Sequence, residues 1–182
     1  RTRELLSLAG NWGLQLDTTQ MEISAAQLSA ICTDSLLLPG TTDEGRKGFL
    51  NNNSTETTYL SRAYTFEGRA LYSKRVTIPA DWSGRSIHLV MERTKPTTLW
   101  VDGQRVGSSD DITTAQRYEL TQWLSPGEHT LSICVDNSPT AVPEKVYTSS
   151  HAYSPSTQTN WNGIIGDFYL EAAPLTHIAS IL

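Results

Sequence analysis

Apolar residues in this chain recur at every second position in short runs. Trp12, Leu14 and Leu16 alternate with Gly13 and Gln15. Tyr72, Lys74, Val76 and Ile78 share one face, with Arg75 and Thr77 opposite. Ile87, Leu89 and Met91 alternate with His88, Val90 and Glu92, and Leu131, Ile133 and Val135 form another such face. Phe168 and Leu170 begin the last one. A period of two sends successive side chains to opposite faces of an extended backbone, so each run predicts a half-buried strand. Leu99 and Val101 flank Trp100, and Asp102-Gly103 separates them from Gln104-Arg105-Val106. Asp-Gly between alternating runs predicts a two-residue hairpin, because both turn positions must accept positive φ. Further turns are expected at Pro79-Ala80-Asp81 with Ser83-Gly84, at Ser125-Pro126-Gly127-Glu128 and at Asn162-Gly163.

Helical signals are sparse. Ser24 to Ala30 fits one or two turns, with Ser24 as the cap. Asn51-Asn52-Asn53-Ser54-Thr55 predicts a surface loop carrying N-x-[ST] sequons, and Ser138 to Thr159, with its prolines and hydroxyl residues, predicts a long loop. No repeat of 20 to 50 residues is visible. Many short strands, regular turns and few helices predict an all-β fold, a β-sandwich. Long excursions between some strands favour a jelly roll over a simple meander.

Composition narrows the function classes. A chain of 182 residues makes one domain. The net charge of −5 and the scattered Lys and Arg exclude a nucleic-acid footprint, so no nucleic-acid partner is expected. No polybasic run or long apolar segment points to a membrane partner. The chain opens at Arg1 without Met or signal peptide and is read as a mature or trimmed form. Cys32 and Cys134 read as small apolar thiols, with a long-loop disulfide left open. His88, His129, His151 and His177 are dispersed and no CxxC occurs, so neither a metal nor another cofactor is expected.

A family pattern emerges when the segments are laid in order. Leu8-Ala9-Gly10-Asn11-Trp12-Gly13-Leu14-Gln15-Leu16-Asp17 resembles an "L-x-G-x-W-x-F-x-L-D" opening, and Leu38-Pro39-Gly40-Thr41-Thr42-Asp43-Glu44 an "L-P-G-T-T" segment. Leu71-Tyr72-Ser73-Lys74-Arg75-Val76-Thr77-Ile78-Pro79 with Trp82 is similar to "W-Y-x-R-x-F-x-I-P-x-x-W". Leu99-Trp100-Val101-Asp102-Gly103-Gln104-Arg105-Val106-Gly107 is similar to "x-V-W-V-N-G-x-x-V-G". The likeness continues through Leu120 to Leu131, Val135-Asp136-Asn137 and Thr157 to Asp167, and so covers roughly Leu8 to Ala172. Together these segments resemble the N-terminal, sugar-binding jelly-roll domain of bacterial, β-galactosidase-like glycoside hydrolase family 2 enzymes.

The resemblance implies an accessory domain. In that family, retaining hydrolysis of a β-linked glycoside uses two Glu residues about 5 Å apart, both on a downstream (β/α)₈ barrel. No catalytic residue is therefore expected here, and whether the chain counts as an enzyme is left open. Residues 1–173 are expected to form the sandwich. Residues 174–182 are expected to form a linker and the start of a truncated immunoglobulin-like domain. The implied partners are a carbohydrate and the immunoglobulin-like and barrel domains of the same parent chain, with a periplasmic or extracellular location.

Four residues are candidates for substrate binding. Trp161 offers an indole face for sugar C–H groups and an N–H donor, or else it covers the end of the sandwich. Asn160 and Gln158 are amides able to donate to and accept from hydroxyls, or simply to satisfy loop backbone. Arg62 lies near where the resemblance implies a substrate-side polar residue, although a solvated or interface arginine is the plainer reading. Trp12, Trp82, Trp100 and Trp123 read as packing residues, and Asp102, Asp136 and Asn137 as turn formers. Asp110-Asp111 lacks the spaced oxygens of a calcium loop, and Glu44, Glu92 and Glu119 have no visible acid/base partner. An autonomous carbohydrate-binding module and a structural interaction domain are the alternative readings.

Overall fold

The computed structural model describes residues 3–19, 27–53, 55, 57–154 and 157–177. Thirteen strands follow in order: β1 (Glu4–Ser7), β2 (Gly10–Asp17), β3 (Asp34–Leu38), β4 (Gly40–Thr41), β5 (Phe49–Leu50), β6 (Tyr64–Thr65), β7 (Arg69–Ile78), β8 (Ser86–Thr94), β9 (Thr97–Val101), β10 (Gln104–Ser109), β11 (Gln116–Glu119), β12 (Gly127–Asp136) and β13 (Gly163–Ala173). Among the described residues one α-helix, α1 (Glu144–Ser149), precedes β13, and a 3-10 turn spans Ala80–Trp82. The larger antiparallel sheet runs β10-β9-β12-β7-β2-β3, and the facing sheet runs β1-β13-β8-β11 with β4 on β13. A small hairpin, β5-β6, stands apart. The fold is the expected jelly-roll β-sandwich.

The alternating faces turn inward as their period requires. Leu14 on β2, Leu89 on β8, Leu131, Ile133 and Val135 on β12 and Leu170 on β13 are fully buried in one cluster between the sheets. Burying each such aliphatic side chain contributes about 1.5–3 kcal/mol relative to leaving it exposed. Trp12 is sealed in the same core, with its ring 5.2 Å from Phe168 and its indole N–H donating to Leu8 O at 2.9 Å. Trp82 is in this core as well, and Trp123 packs against it. Trp100 points to the other face of the larger sheet. There it meets Leu28, Leu71 and Cys134, because residues 27–33 cross that face and cover it.

The Asp102-Gly103 turn joins β9 to β10 with φ of 49° and 77°, as the dipeptide predicts. Cys32 and Cys134 are free thiols in the outer apolar cluster. Burial pushes Cys32 up to about 11 and Cys134 up to about 12, so neither supplies thiolate at neutral pH.

Some local expectations change. The segment Ser138 to Thr159 is not all loop: Pro143 starts α1 and its carbonyl accepts from Val146 N and Tyr147 N. Proline suits a helix start because its missing N–H would be unpaired there anyway. Of the turn expected over Ser24–Ala30, residues 24–26, including the Ser24 cap, lie outside the described residues. The remainder closes one turn through Ile31 N to Gln27 O. Ser54 of the asparagine-rich loop and residues 178–182 of the expected linker also lie outside them.

Candidate functional site

The end of β12 and the start of β13 meet at one corner of the sandwich, and three buried asparagines hold it. Asn137 saturates its side chain: Oδ1 accepts from Gly68 N at 3.0 Å and Asn162 Nδ2 at 3.1 Å, and Nδ2 donates to Phe66 O at 2.8 Å and Asn160 O at 3.1 Å. Asn162 donates to Val135 O at 2.9 Å and accepts from the Tyr72 hydroxyl at 2.9 Å. Asn160 Nδ2 donates to Asn137 O at 2.9 Å. Asn137 is therefore the hub of a buried network and not a turn former. Asp136 does form a turn, accepting from Ser138 N at 2.9 Å. Gly163 lets β4 close on β13, since a Cβ at its φ of 144° would collide with the main chain of Gly40.

Arg62 is drawn into this corner from the segment between β5 and β6. Its Nη1 donates to Asn160 O at 2.7 Å and to both Asp43 carboxylate oxygens at 3.2 Å. Both partners of the Arg62–Asp43 pair are mostly buried, so it has more geometric authority than a solvated pair. α1 supplies Tyr147, which donates to Glu67 Oε2 at 2.7 Å. Burial first, and then the Glu67 carboxylate, push the Tyr147 phenol up to about 12, against the Asn160 amide.

These side chains wall a pocket of about 460 Å³ that Arg62, Glu67, Tyr147, Tyr153 and Asn160 line, with Tyr59 at its side. Guanidinium, phenol and amide groups around an aromatic surface suit a polyhydroxylated ligand, which offers hydroxyls to the polar groups and C–H faces to the rings. The carboxylates Asp43 and Glu67 are each already engaged, by Arg62 and Tyr147. Among the described residues no cluster of three or more His, Cys, Asp or Glu is arranged to hold a metal, and no helix is long and apolar enough to cross a membrane.

The four sequence candidates separate here. Arg62 and Asn160 come together in the pocket wall. Trp161 is adjacent but only 8% exposed. It backs the wall, its ring facing the Lys95 ammonium at 4.8 Å. Gln158 is half-buried beside the pocket without lining it, its backbone N–H donating to Ser154 O at 3.1 Å.

Sequence reasoning missed Asp43, Glu67, Tyr147, Tyr153 and Lys95. Each sits in a turn or polar segment whose composition predicts only exposure; Asp43 falls within residues 38–44, which carry part of the family likeness, and that marks the turn and not the side chain's role. Two buried polar atoms of this corner, Tyr153 Oη and Asn160 Oδ1, have no partner among the described residues. An unpaired buried polar group costs about 1–3 kcal/mol.

Comparison with known proteins agrees with the fold. A family model described as "Glycosyl hydrolases family 2, sugar binding domain" matches residues 5–170. The β-galactosidase of Priestia megaterium is 25% identical over 133 residues, spanning 71% of this chain and 12% of that protein. The β-galactosidase of Clostridium acetobutylicum is 34% identical over 85 residues, 46% of this chain and 8% of that protein. A β-glucuronidase structure from Faecalibacterium prausnitzii matches with a TM-score of 0.65 and 21% identity over 96% of this chain and 32% of that one. At that identity the likeness shows the fold. The chain spans only a small part of the length of each of these relatives.

Proposed function

We propose a function from one premise: the chain belongs to the sugar-binding domain family of the glycosyl hydrolases family 2. As an accessory β-sandwich, it presents the Arg62/Asn160 pocket to a β-linked glycoside whose hydrolysis takes place elsewhere in a parent enzyme. That enzyme carries a (β/α)₈ barrel beyond an immunoglobulin-like domain, and two barrel glutamates perform the retaining chemistry. Here Arg62 binds ligand hydroxyls with its remaining N–H groups. Asn160 sets the wall from which Arg62 projects, Trp161 supports that wall from behind, and Gln158 flanks the opening.

One observation carries this reading. Arg62, Tyr147 and Asn160 come from three separate segments, yet they converge on one cavity of about 460 Å³ in a sugar-binding fold. The test is steady-state kinetics of the parent enzyme on a nitrophenyl β-D-galactoside. Arg62→Ala should lower kcat/KM about tenfold or more, which corresponds to about 1.4 kcal/mol of lost substrate contact. The 182-residue chain alone should show no hydrolysis. Wild-type kcat/KM in the variant, or turnover by the isolated chain, would overturn the reading.

An autonomous carbohydrate-binding module is the second reading, favoured by an open pocket that residues of this chain line. Millimolar binding of methyl β-D-galactopyranoside by the isolated chain, abolished in Arg62→Ala, would move it to first place.

A further inference from the structure

Lys95 occupies the turn between β8 and β9, in Thr94-Lys95-Pro96-Thr97, where lysines ordinarily reach into water. Here it is 1% exposed. Its main chain is anchored on the sandwich: Gln116 Nε2 donates to Lys95 O at 3.0 Å, and Asp136 N donates to Pro96 O at 2.9 Å. The ammonium donates to Ala152 O. It also lies 4.1 Å from the Tyr153 ring centroid and 4.8 Å from that of Trp161. Its charged neighbours are Arg62, a like charge, and Asp43, which Arg62 already engages. Burial first, and then Arg62, pull its pKa down to about 8, with Asp43 opposing.

Such a charge does not serve stability. Burying an ammonium is costly, and even buried ion pairs are often replaced by apolar side chains of similar size at no loss, or with gain. What the ammonium does that a methionine cannot is to hold a carbonyl and two ring faces at once. Those groups flank Asn160, and the two orphaned polar atoms lie in the same corner. Costs concentrated at one place are the mark of a site kept for function.

We propose that Lys95 is a positioning residue of the Arg62/Asn160 pocket: boxed between Tyr153 and Trp161 and tied to Ala152 O, its ammonium fixes Tyr153 in the pocket wall and Asn160 beside Trp161. This rests on reading the pocket as the sugar contact. The pin itself is observable without any sugar.

The experiment follows the Trp161 indole N–H and the Asn160 side-chain amide by ¹⁵N NMR, from about pH 6 to about pH 10, a range that brackets the transition of this lysine. The samples are the wild-type chain, Lys95→Met and Lys95→Arg. In the wild type both signals should move together with a midpoint near pH 8, from a pinned to a released position. Lys95→Arg should keep the pinned position at every pH, because the guanidinium stays charged. Lys95→Met should hold the released position throughout and melt no lower than the wild type.

Linkage gives a sign check. The folded pKa lies below the unfolded one, so the unfolded chain holds more protons between them. Wild-type stability should therefore rise relative to Lys95→Met as pH climbs above about 8. His151, Asp43, Arg62, Asp136, Tyr147 and Tyr153 all remain in Lys95→Met. A midpoint near pH 8 that persists there belongs to one of them and overturns the proposal. Static wild-type signals, or pinned positions in Lys95→Met, overturn it as well. If Lys95→Met fails to fold, the wild-type titration and Lys95→Arg still decide. Wild-type kcat/KM for Arg62→Ala in the parent enzyme on a nitrophenyl β-D-galactoside, with the titration intact, would remove the sugar reading and leave the pin.

Discussion

The interior between the sheets and the asparagine corner are equally dry, yet they are built by different rules. The interior, from Leu14 through Leu131 and Ile133 to Leu170, is held by apolar area removed from water. Its requirement is volume and shape, which several side chains can meet. The corner at Asn137, Asn160 and Asn162 is held by a web of directed hydrogen bonds between particular donors and acceptors. Its requirement is identity, since a group of the right size without the right atoms leaves partners stranded. The pocket grows from the second region. Arg62 is placed by its hydrogen bond to Asn160 O, Tyr147 by Glu67, and Tyr153 by ring contacts with Tyr147 and Lys95, so the corner trades tolerance for precision.

The widest separation between the two should come from a core truncation and its volume-conserving counterpart. Leu170→Ala should cost about 3 kcal/mol, from lost transfer energy plus an unfilled cavity. Leu170→Met should cost less than about 1.5 kcal/mol. Urea denaturation measures both. Similar losses for the two would mean that shape alone does not govern the interior.

Asn137→Ala should cost about 2 kcal/mol in the same assay, because it strands the Gly68 donor and the Phe66 acceptor together. Unlike the core, this site should not be rescued by a side chain of matching size: Asn137→Leu should be as damaging as Asn137→Ala. A stable Asn137→Leu would break the comparison, making the corner a packing site with incidental polarity.

The same contrast decided what the sequence revealed. Leu131, Ile133 and Val135 announce their face because the period of the strand is written locally, and Asp102-Gly103 announces its hairpin through its own φ angles. The motif order around Trp12, Trp100 and Trp161 carried the family. Asn137 gave no comparable sign. Its partners Gly68, Asn160 and Asn162 reach it only through the topology, and a lone Asn after a strand looks like a turn. Lys95 in a polar turn predicts exposure, and the six residues of α1 are too few to show a helical period. Trp161 was singled out for its chemistry. Its burial against Lys95 depends on a contact that no spacing encodes.

Tyr72 belongs to both regions, and so gives the finest test of where one ends. Its ring lies in the apolar cluster, and its hydroxyl donates to Asn162 Oδ1 at 2.9 Å. Burial pushes the phenol well above the ordinary tyrosine range, so the group stays protonated and remains a donor. Tyr72→Phe keeps the ring and removes only that hydrogen bond, which should cost about 1 kcal/mol. In a double-mutant cycle with Asn162→Ala, the loss from Tyr72→Phe should largely disappear, because the acceptor it stranded is gone. Leu170→Ala should add to Tyr72→Phe without coupling to the hydroxyl. Coupling of the hydroxyl to Leu170 and not to Asn162 would show that core and corner are one region, with the hydrogen bond a consequence of the packing.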